Sequence, residues 1–245
     1  MIGKPPLRKW EEYPEITTPP LLFAHKGGEY FGKGNSTETI MKKLRGADVI
    51  EVDVRKSKDH LLYCHHGTLL EYALPFLFFN KEFKEIQKKY MAPTVRDISS
   101  AMTPYGFKNL FLDIKDTSIT LEELQDATPT FEGSIYLGAR SLDYLSSLGK
   151  LPRLWTKVCT VGPRPLRPEK LAAAGIDIVE LFFWEFTNSN ISNLRENGID
   201  VALCPMFMPE SSYLMLCKDS HWINTYDIPE KVFRKYYYLQ EGGFK

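Results

Sequence analysis

Glu51 and Asp53 stand one residue apart in the apolar run VIEVDV, and two adjacent histidines, His65 and His66, follow in HLLYCHHG. If VIEVDV is a strand, Val49, Glu51 and Asp53 share one face and Ile50, Val52 and Val54 the other. Two carboxylates on one face repel and call for a cation, a proton or a basic neighbour, and paired hard oxygens suit Mg²⁺ or Ca²⁺ better than zinc. In NLFLDIKD the same alternation points Asp113 and Lys115 one way, giving a third oxygen ligand and a counter-charge for a phosphate oxygen. AHKGG adds His25 and Lys26, followed by glycines that let a ligand approach the backbone closely. Histidines from two segments, aimed at a carboxylate-held metal, suit a general acid and a general base, with lysines holding a phosphoryl group. The pattern reads as half of a metal-dependent phosphodiester site.

Those residues need a scaffold that brings strand ends together. The 245 residues fit one large domain. Short apolar runs alternate with amphipathic ones: LLFAH, STETIMKKLRG, VIEVDV, TVRDISSAM, NLFLDIK, and so on to HWINTYDI. Gly46, Gly175 and Gly198 sit where helices would be capped before the next strand. Repeated βα units predict an α/β fold, a (β/α)8 TIM barrel with its site at the C-terminal ends of the strands. An open doubly wound sheet is the alternative, but no G-x-G-x-x-G follows the first strand. LLYCHH comes too soon after VIEVDV for a parallel crossover, so it is expected to return antiparallel, as a hairpin at the mouth. A turn centred on Ser57 and Lys58, or one residue later, would bring His66 beside positions 49–51. The expected organisation is an N-terminal arm, 1–20, and one barrel domain, 21–245, with a hairpin and helical insertion at about 55–92.

Lys plus Arg and Asp plus Glu are both 31, so no broad electrostatic footprint for nucleic acid is expected. Cys64, Cys159, Cys204 and Cys217 are widely spaced in apolar segments, which suits buried thiols in a reducing compartment. With no apolar run of ~20 residues and a polar, proline-rich start, the expected location is cytoplasmic.

AHKGG, GADVIEVDVRKSKDH, His66 and LDIK occur in the order and approximate spacing of the glycerophosphodiester phosphodiesterase family, and the chain resembles that family. The family pattern is H-R-G, E-N-T, G-A-D-x-I-E-x-D-V, T-x-D-G, H-D and E-x-K. The resemblance implies a TIM barrel, catalytic roles for His25 and His66, and a divalent cation, Mg²⁺ or Ca²⁺, on Glu51, Asp53 and Asp113. Lys26 and Lys115 would neutralise the substrate phosphate, and the substrate would be a small phosphodiester or a lysophospholipid. YMAPTVRDI and INTYDIPE resemble the family's P-T-L and closing T-D-x-P segments more weakly. Lys26 replaces an arginine, STET replaces P-E-N-T with its glutamate absent or displaced to Glu38, Gly67 follows His66 in place of aspartate, and Asp113 stands for glutamate. H-G-T and D-x-K look more like the related sphingomyelinase D and phospholipase D branch, whose members often form a cyclic phosphate. LLEYALPF, however, lacks that branch's cysteine.

Other polar residues have blander readings. His65 is expected to face away from the site, His60 to sit in a turn, and His221 to be structural. Cys64 reads as a packed thiol. Lys157, Arg140 and Glu180 could line the mouth, with salt bridges the alternative, and Trp184 and Trp222 could stack on substrate or simply pack. Residues 69–91 join a Leu/Phe cluster to a basic helix; packing against the barrel is preferred over weak contact with a membrane surface. A catalytically inactive barrel that binds a phosphorylated ligand is the rival class. A glycosidase is disfavoured, because Glu51 and Asp53 lie on the same side of any substrate.

Overall fold

Alternation within each apolar run decides which side chains face in and which face out. In the computed structural model, which describes residues 21–28, 35–37, 47–160, 165–182, 184–204 and 220–225, these runs form nine strands. They are β1 (Leu21–Ala24), β2 (Val49–Lys56), β3 (Leu62–Cys64), β4 (Asn109–Ile114), β5 (Ser134–Ala139), β6 (Trp155–Cys159), β7 (Ile178–Phe182), β8 (Asp200–Cys204) and β9 (Trp222–Thr225). Eight are parallel in the order β1-β9-β8-β7-β6-β5-β4-β2, and β1 pairs with β2, so the sheet closes on itself. Two-residue staggers at Val49/Glu51, Thr156/Val158, Ile178/Glu180 and Leu21/Phe23 carry the register around the ring. Together they give the shear of eight that characterises a (β/α)8 barrel.

Outward residues such as Ile50, Val52, Leu110, Leu112 and Leu137 pack under the helices in one large core. Inward, each of the eight barrel strands contributes one side chain to a floor that includes Phe23, Phe111, Tyr136 and Trp222. Phe23 stacks on Trp222 at 5.2 Å and meets Phe111 edge-on at 5.1 Å. Gly138 makes this floor possible, since a Cβ there would lie 2.3 Å from the Phe111 ring. The floor fills the lower barrel, and the polar residues sit above it.

The helices start where their sequence supplies caps. Thr94 and Thr120 form capping boxes with Asp97 and Glu123, opening α4 (Val95–Met102) and α5 (Leu121–Ala127). Ser141 and Thr187 cap α6 (Leu142–Ser147) and α8 (Asn188–Glu196), while α7 (Pro168–Ala173) begins on a proline. Gly175 and Gly198 adopt left-handed φ after α7 and α8, as their sequence positions predict. Gly46, Glu38, Cys217, the arm 1–20 and residues 226–230 of INTYDIPE lie outside the described residues.

The antiparallel excursion is present. β3 pairs with β2 through Val54↔Cys64 and Lys56↔Leu62, so the turn centres on Asp59, slightly later than the sequence suggests. Ser57 accounts for the shift: its amide and hydroxyl both bond to Leu61, and His60 adopts a left-handed φ of 65° to close the loop. Three short helices follow, α1 (Leu69–Ala73), α2 (Pro75–Phe78) and α3 (Phe83–Tyr90), before the chain rejoins the barrel at α4.

Candidate active site

Strand alternation and register bring the carboxylates together. Asp53 lies beside Asp113 across the β2–β4 pair, and Glu51 lies on the same face of β2. One carboxylate oxygen from each of Glu51, Asp53 and Asp113 falls within 4.8 Å of the others. Atoms bound to one hard cation at ~2.1–2.5 Å are spaced this way. Glu51 is 2% exposed and Asp53 fully buried. Glu51 Oε1 has no hydrogen-bond partner among the described residues. A buried, unsatisfied carboxylate oxygen facing two other carboxylates fits a divalent cation held by this trio.

The neighbours offset part of the charge. Lys115 Nζ contacts Asp113 Oδ2 and lies 3.0 Å from Asp53 Oδ1. Burial would raise Asp53, but Lys115, then His66, His25 and the Asn35 amide, outweigh it and hold its carboxyl below the usual range. Burial, then Asp53 and Asp113, pushes Glu51 well above its ordinary value. Burial likewise raises Asp113. Burial works against the Lys115 charge, yet Asp113 and Asp53 keep it firmly protonated.

β1 delivers His25 and Lys26 to the same place. Lys26 and Gly27 both take left-handed φ, 51° and 63°, turning the Lys26 N–H toward Glu51 Oε2, to which it donates at 2.5 Å. His25 Nε2 lies 4.0 Å from the same oxygen. Burial lowers the His25 pKa to about 3, so the ring is neutral. Burial also lowers Lys26, with Asp53 and Glu51 opposing.

His66 arrives from the hairpin. Its Nδ1 lies 2.7 Å from the Gly67 carbonyl, which can only accept, so Nδ1 carries a proton. Burial lowers its pKa, while the Asp53 charge raises it. Its ring packs edge-on to Tyr72 at 5.6 Å. All seven residues proposed from sequence therefore gather at one barrel mouth: His25, Lys26, Glu51, Asp53, His66, Asp113 and Lys115.

Two further residues belong to this arrangement and escaped the sequence reading. Asn35 Nδ2 donates to Asp53 Oδ2 at 3.0 Å, and the Asp53 N–H donates to Asn35 Oδ1 at 3.0 Å. Arg55, on the same face of β2 as Glu51 and Asp53, donates to the carbonyls of His65 (3.0 Å) and His66 (2.9 Å). Its guanidinium lies 3.7 Å over the Phe79 ring. Continuing the 51, 53 alternation by one step would have found it.

The other polar residues take the following positions. His65 stacks on Tyr90 at 4.2 Å and approaches Glu71 at 3.5 Å. His221 binds Asp200 at 2.8 Å, and Trp222 belongs to the floor. Cys64, Cys159 and Cys204 are buried thiols. Lys157 does not line the mouth: it faces outward, and its ammonium donates to Gly149 O and Ala174 O at the ends of α6 and α7. Arg140 is exposed within electrostatic reach of Asp113, Glu180 is buried on the inward face of β7 with the floor residue Ile178, and Trp184 stacks on Phe182 at 4.5 Å. Among the described residues no helix is long and apolar enough to cross a membrane.

No family model and no curated protein matches the chain. Solved structures do. A glycerophosphodiester phosphodiesterase candidate from Galdieria sulphuraria is 16% identical with a TM-score of 0.71, covering 92% of this chain and 99% of its own. An Oleispira antarctica phosphodiesterase in complex with the product sn-glycerol-3-phosphate is 14% identical with a TM-score of 0.69, covering 91% and 98%. A glycerophosphodiester phosphodiesterase from Thermotoga maritima is 17% identical with a TM-score of 0.65, covering 87% and 96%. The likeness spans nearly the whole of each chain and is one of fold, a (β/α)8 barrel.

Proposed function

We propose that the barrel mouth hydrolyses a glycerophosphodiester to an alcohol and glycerol phosphate. The observation that carries this reading is the meeting of three carboxylates, two histidines and two lysines at one end of the barrel. The shared fold with phosphodiesterases supports it. Glu51, Asp53 and Asp113 would hold Mg²⁺ or Ca²⁺, which when bound supplies charge neutralisation at the phosphoryl oxygens. Lys26 and Lys115 add positive charge for the same phosphate.

The histidines move the protons. As water attacks phosphorus, His25, kept neutral by burial, accepts a proton from it. The P–O bond to the alcohol breaks, and His66 delivers a proton from Nε2 to the departing oxygen. The negative charge of a bound phosphodiester favours that protonated ring. Gly67 after His66 and the D-x-K of Asp113 and Lys115 favour a second outcome, attack by a substrate hydroxyl to give a cyclic phosphate.

Phosphorus NMR with glycerophosphocholine, and separately with lysophosphatidylcholine, in Mg²⁺, Ca²⁺ or EDTA tests both readings. Glycerol phosphate that forms only with metal supports hydrolysis, and a cyclic phosphate moves the protein to the lyase reading. His25→Ala and His66→Ala are each expected to slow turnover on the order of 10²–10⁴-fold. Less than tenfold for both would refute their assignment. No metal-dependent change in any spectrum would favour a barrel that only binds a phosphorylated ligand.

A further inference from the structure

The stretch TLLEYALPFLFFN, residues 68–80, carries one formally charged side chain, Glu71, and that side chain is turned inward. Glu71 accepts hydrogen bonds from the Thr68 N–H at 2.7 Å and the Tyr90 hydroxyl at 2.5 Å. Arg55 braces the inner side through the Phe79 and Tyr72 rings. Most of what remains outside is apolar: Leu69 is 90% exposed, Phe76 65%, Leu70 61% and Leu77 52%. Single exposed leucines are ordinary, but four large apolar side chains exposed within nine residues mark an interaction surface.

Two observations identify the partner. The apolar set is flanked by cations: Lys84, Lys88 and Lys89 are exposed on α3, and Lys89 Nζ lies 4.6 Å over the Phe78 ring at the edge of the patch. Of the acidic residues there, Glu85 is paired with Lys81, and Glu82 stands at the start of α3. Exposed apolar side chains beside lysines match the layered chemistry of an anionic bilayer, acyl chains below and phosphate headgroups at the level of the ammonium groups. The patch also adjoins the mouth, because Tyr72 of α1 packs on His66.

We propose that residues 69–78 form a lip that docks on an anionic phospholipid surface, with the α3 lysines on its headgroups and the barrel mouth turned toward them. The docking rests on the lip alone; its use in presenting a lipid phosphodiester rests on the function proposed above. The two are separable. The test is co-sedimentation of the protein with vesicles of phosphatidylcholine, or of phosphatidylcholine with one-quarter phosphatidylglycerol, at low and high salt. The comparison is a Leu69→Ser/Phe76→Ser/Leu77→Ser variant whose folding is checked by thermal melting.

The parent is expected to pellet with the anionic vesicles, less with the neutral ones and less at high salt, and the variant to lose about tenfold or more in partitioning. Turnover of soluble glycerophosphocholine should be the same in both proteins; if neither turns it over, the proposed function fails while the docking result stands. The inference is overturned if the parent stays in the supernatant with both vesicles, or if the folded variant binds as the parent does. It is also overturned if sedimentation equilibrium shows a dimer that the variant dissolves without any vesicle binding, which would assign the lip to a second copy of the chain.

Discussion

Glu51→Gln should stabilise the metal-free protein and remove its response to metal. Glu51 is buried among Asp53 and Asp113, its Oε2 accepts one hydrogen bond from the Lys26 N–H, and its Oε1 has no partner among the described residues. A glutamine carbonyl keeps the Lys26 bond, and its NH₂ would face two carboxylates able to accept from it. The substitution thus replaces a carboxylate whose charge burial, Asp53 and Asp113 disfavour with a neutral amide that adds an NH₂ donor toward them. A gain of about 1–2 kcal/mol is the expected scale for relieving such a site. At ~2–4 °C per kcal/mol for a chain of this size, melting in EDTA should rise by about 2–8 °C.

Metal should reverse the order. A cation at a hundred times its dissociation constant adds roughly 2.7 kcal/mol to a protein that binds it. That exceeds the gain from the substitution, and the variant, with one carboxylate fewer, should receive little of it. Calorimetric melts of both proteins in EDTA, Mg²⁺ and Ca²⁺ therefore have crossing orders: variant above parent without metal, parent above variant with it. A variant that melts below the parent in EDTA refutes the electrostatic argument. Equal stabilisation of both proteins by metal refutes Glu51 as a ligand.

Arg55→Lys loses the fork that holds the carbonyls of His65 and His66. It is expected to lower kcat about 10–100-fold with KM little changed, whereas a fall in melting temperature with unchanged kinetics would leave Arg55 a purely structural brace. Gly138→Ala places a Cβ 2.3 Å from Phe111 and should cost about 1–3 kcal/mol; adding Phe111→Leu should restore most of it in a chemical denaturation series. Burial would raise Glu71, but the Tyr90 hydroxyl and Thr68 amide outweigh it and hold its carboxyl below the usual value. Its contribution is therefore complete above the unfolded value of about 4.3 and is lost as pH falls through the lower folded one. Amide exchange in residues 69–74, relative to 95–102, should accelerate over that acidic window in the parent, and Glu71→Gln should flatten the dependence.

Period-2 alternation exposed the carboxylates, because barrel strands must send one face into helices and the other into the lumen, and VIEVDV and NLFLDIK obey that rule residue by residue. The hairpin followed from chain length alone. Its register was less legible, since it depends on Ser57 bonding both ways to Leu61, a detail of turn chemistry with several near-equal solutions. Lys157 shows the opposite limit. A lysine on a strand suggests a site, but here the strand's outer face meets two helix ends whose carbonyls need a donor, and only their packing reveals it. Asn35 was missed because a loop residue has no periodicity to announce it, and its role exists only through contact with Asp53.

Gly67 links the two unusual features of this barrel. Its φ of 89° and the Phe79 ring, 2.9 Å from where a Cβ would stand, leave no room for the aspartate of the H-D motif that the chain otherwise resembles. Phe79 is there because Arg55 stacks on it, and Arg55 is there because it holds the His66 carbonyl. The glycine next to His66 and the aromatic brace under the proposed lip are thus one structural arrangement. The consequence is testable in reverse. Gly67→Asp should not restore a fuller acidic site but displace Phe79, loosen the brace on His66 and lower both kcat and vesicle partitioning. A variant that gains activity would show that the aspartate can be accommodated and that the lip and the site are independent.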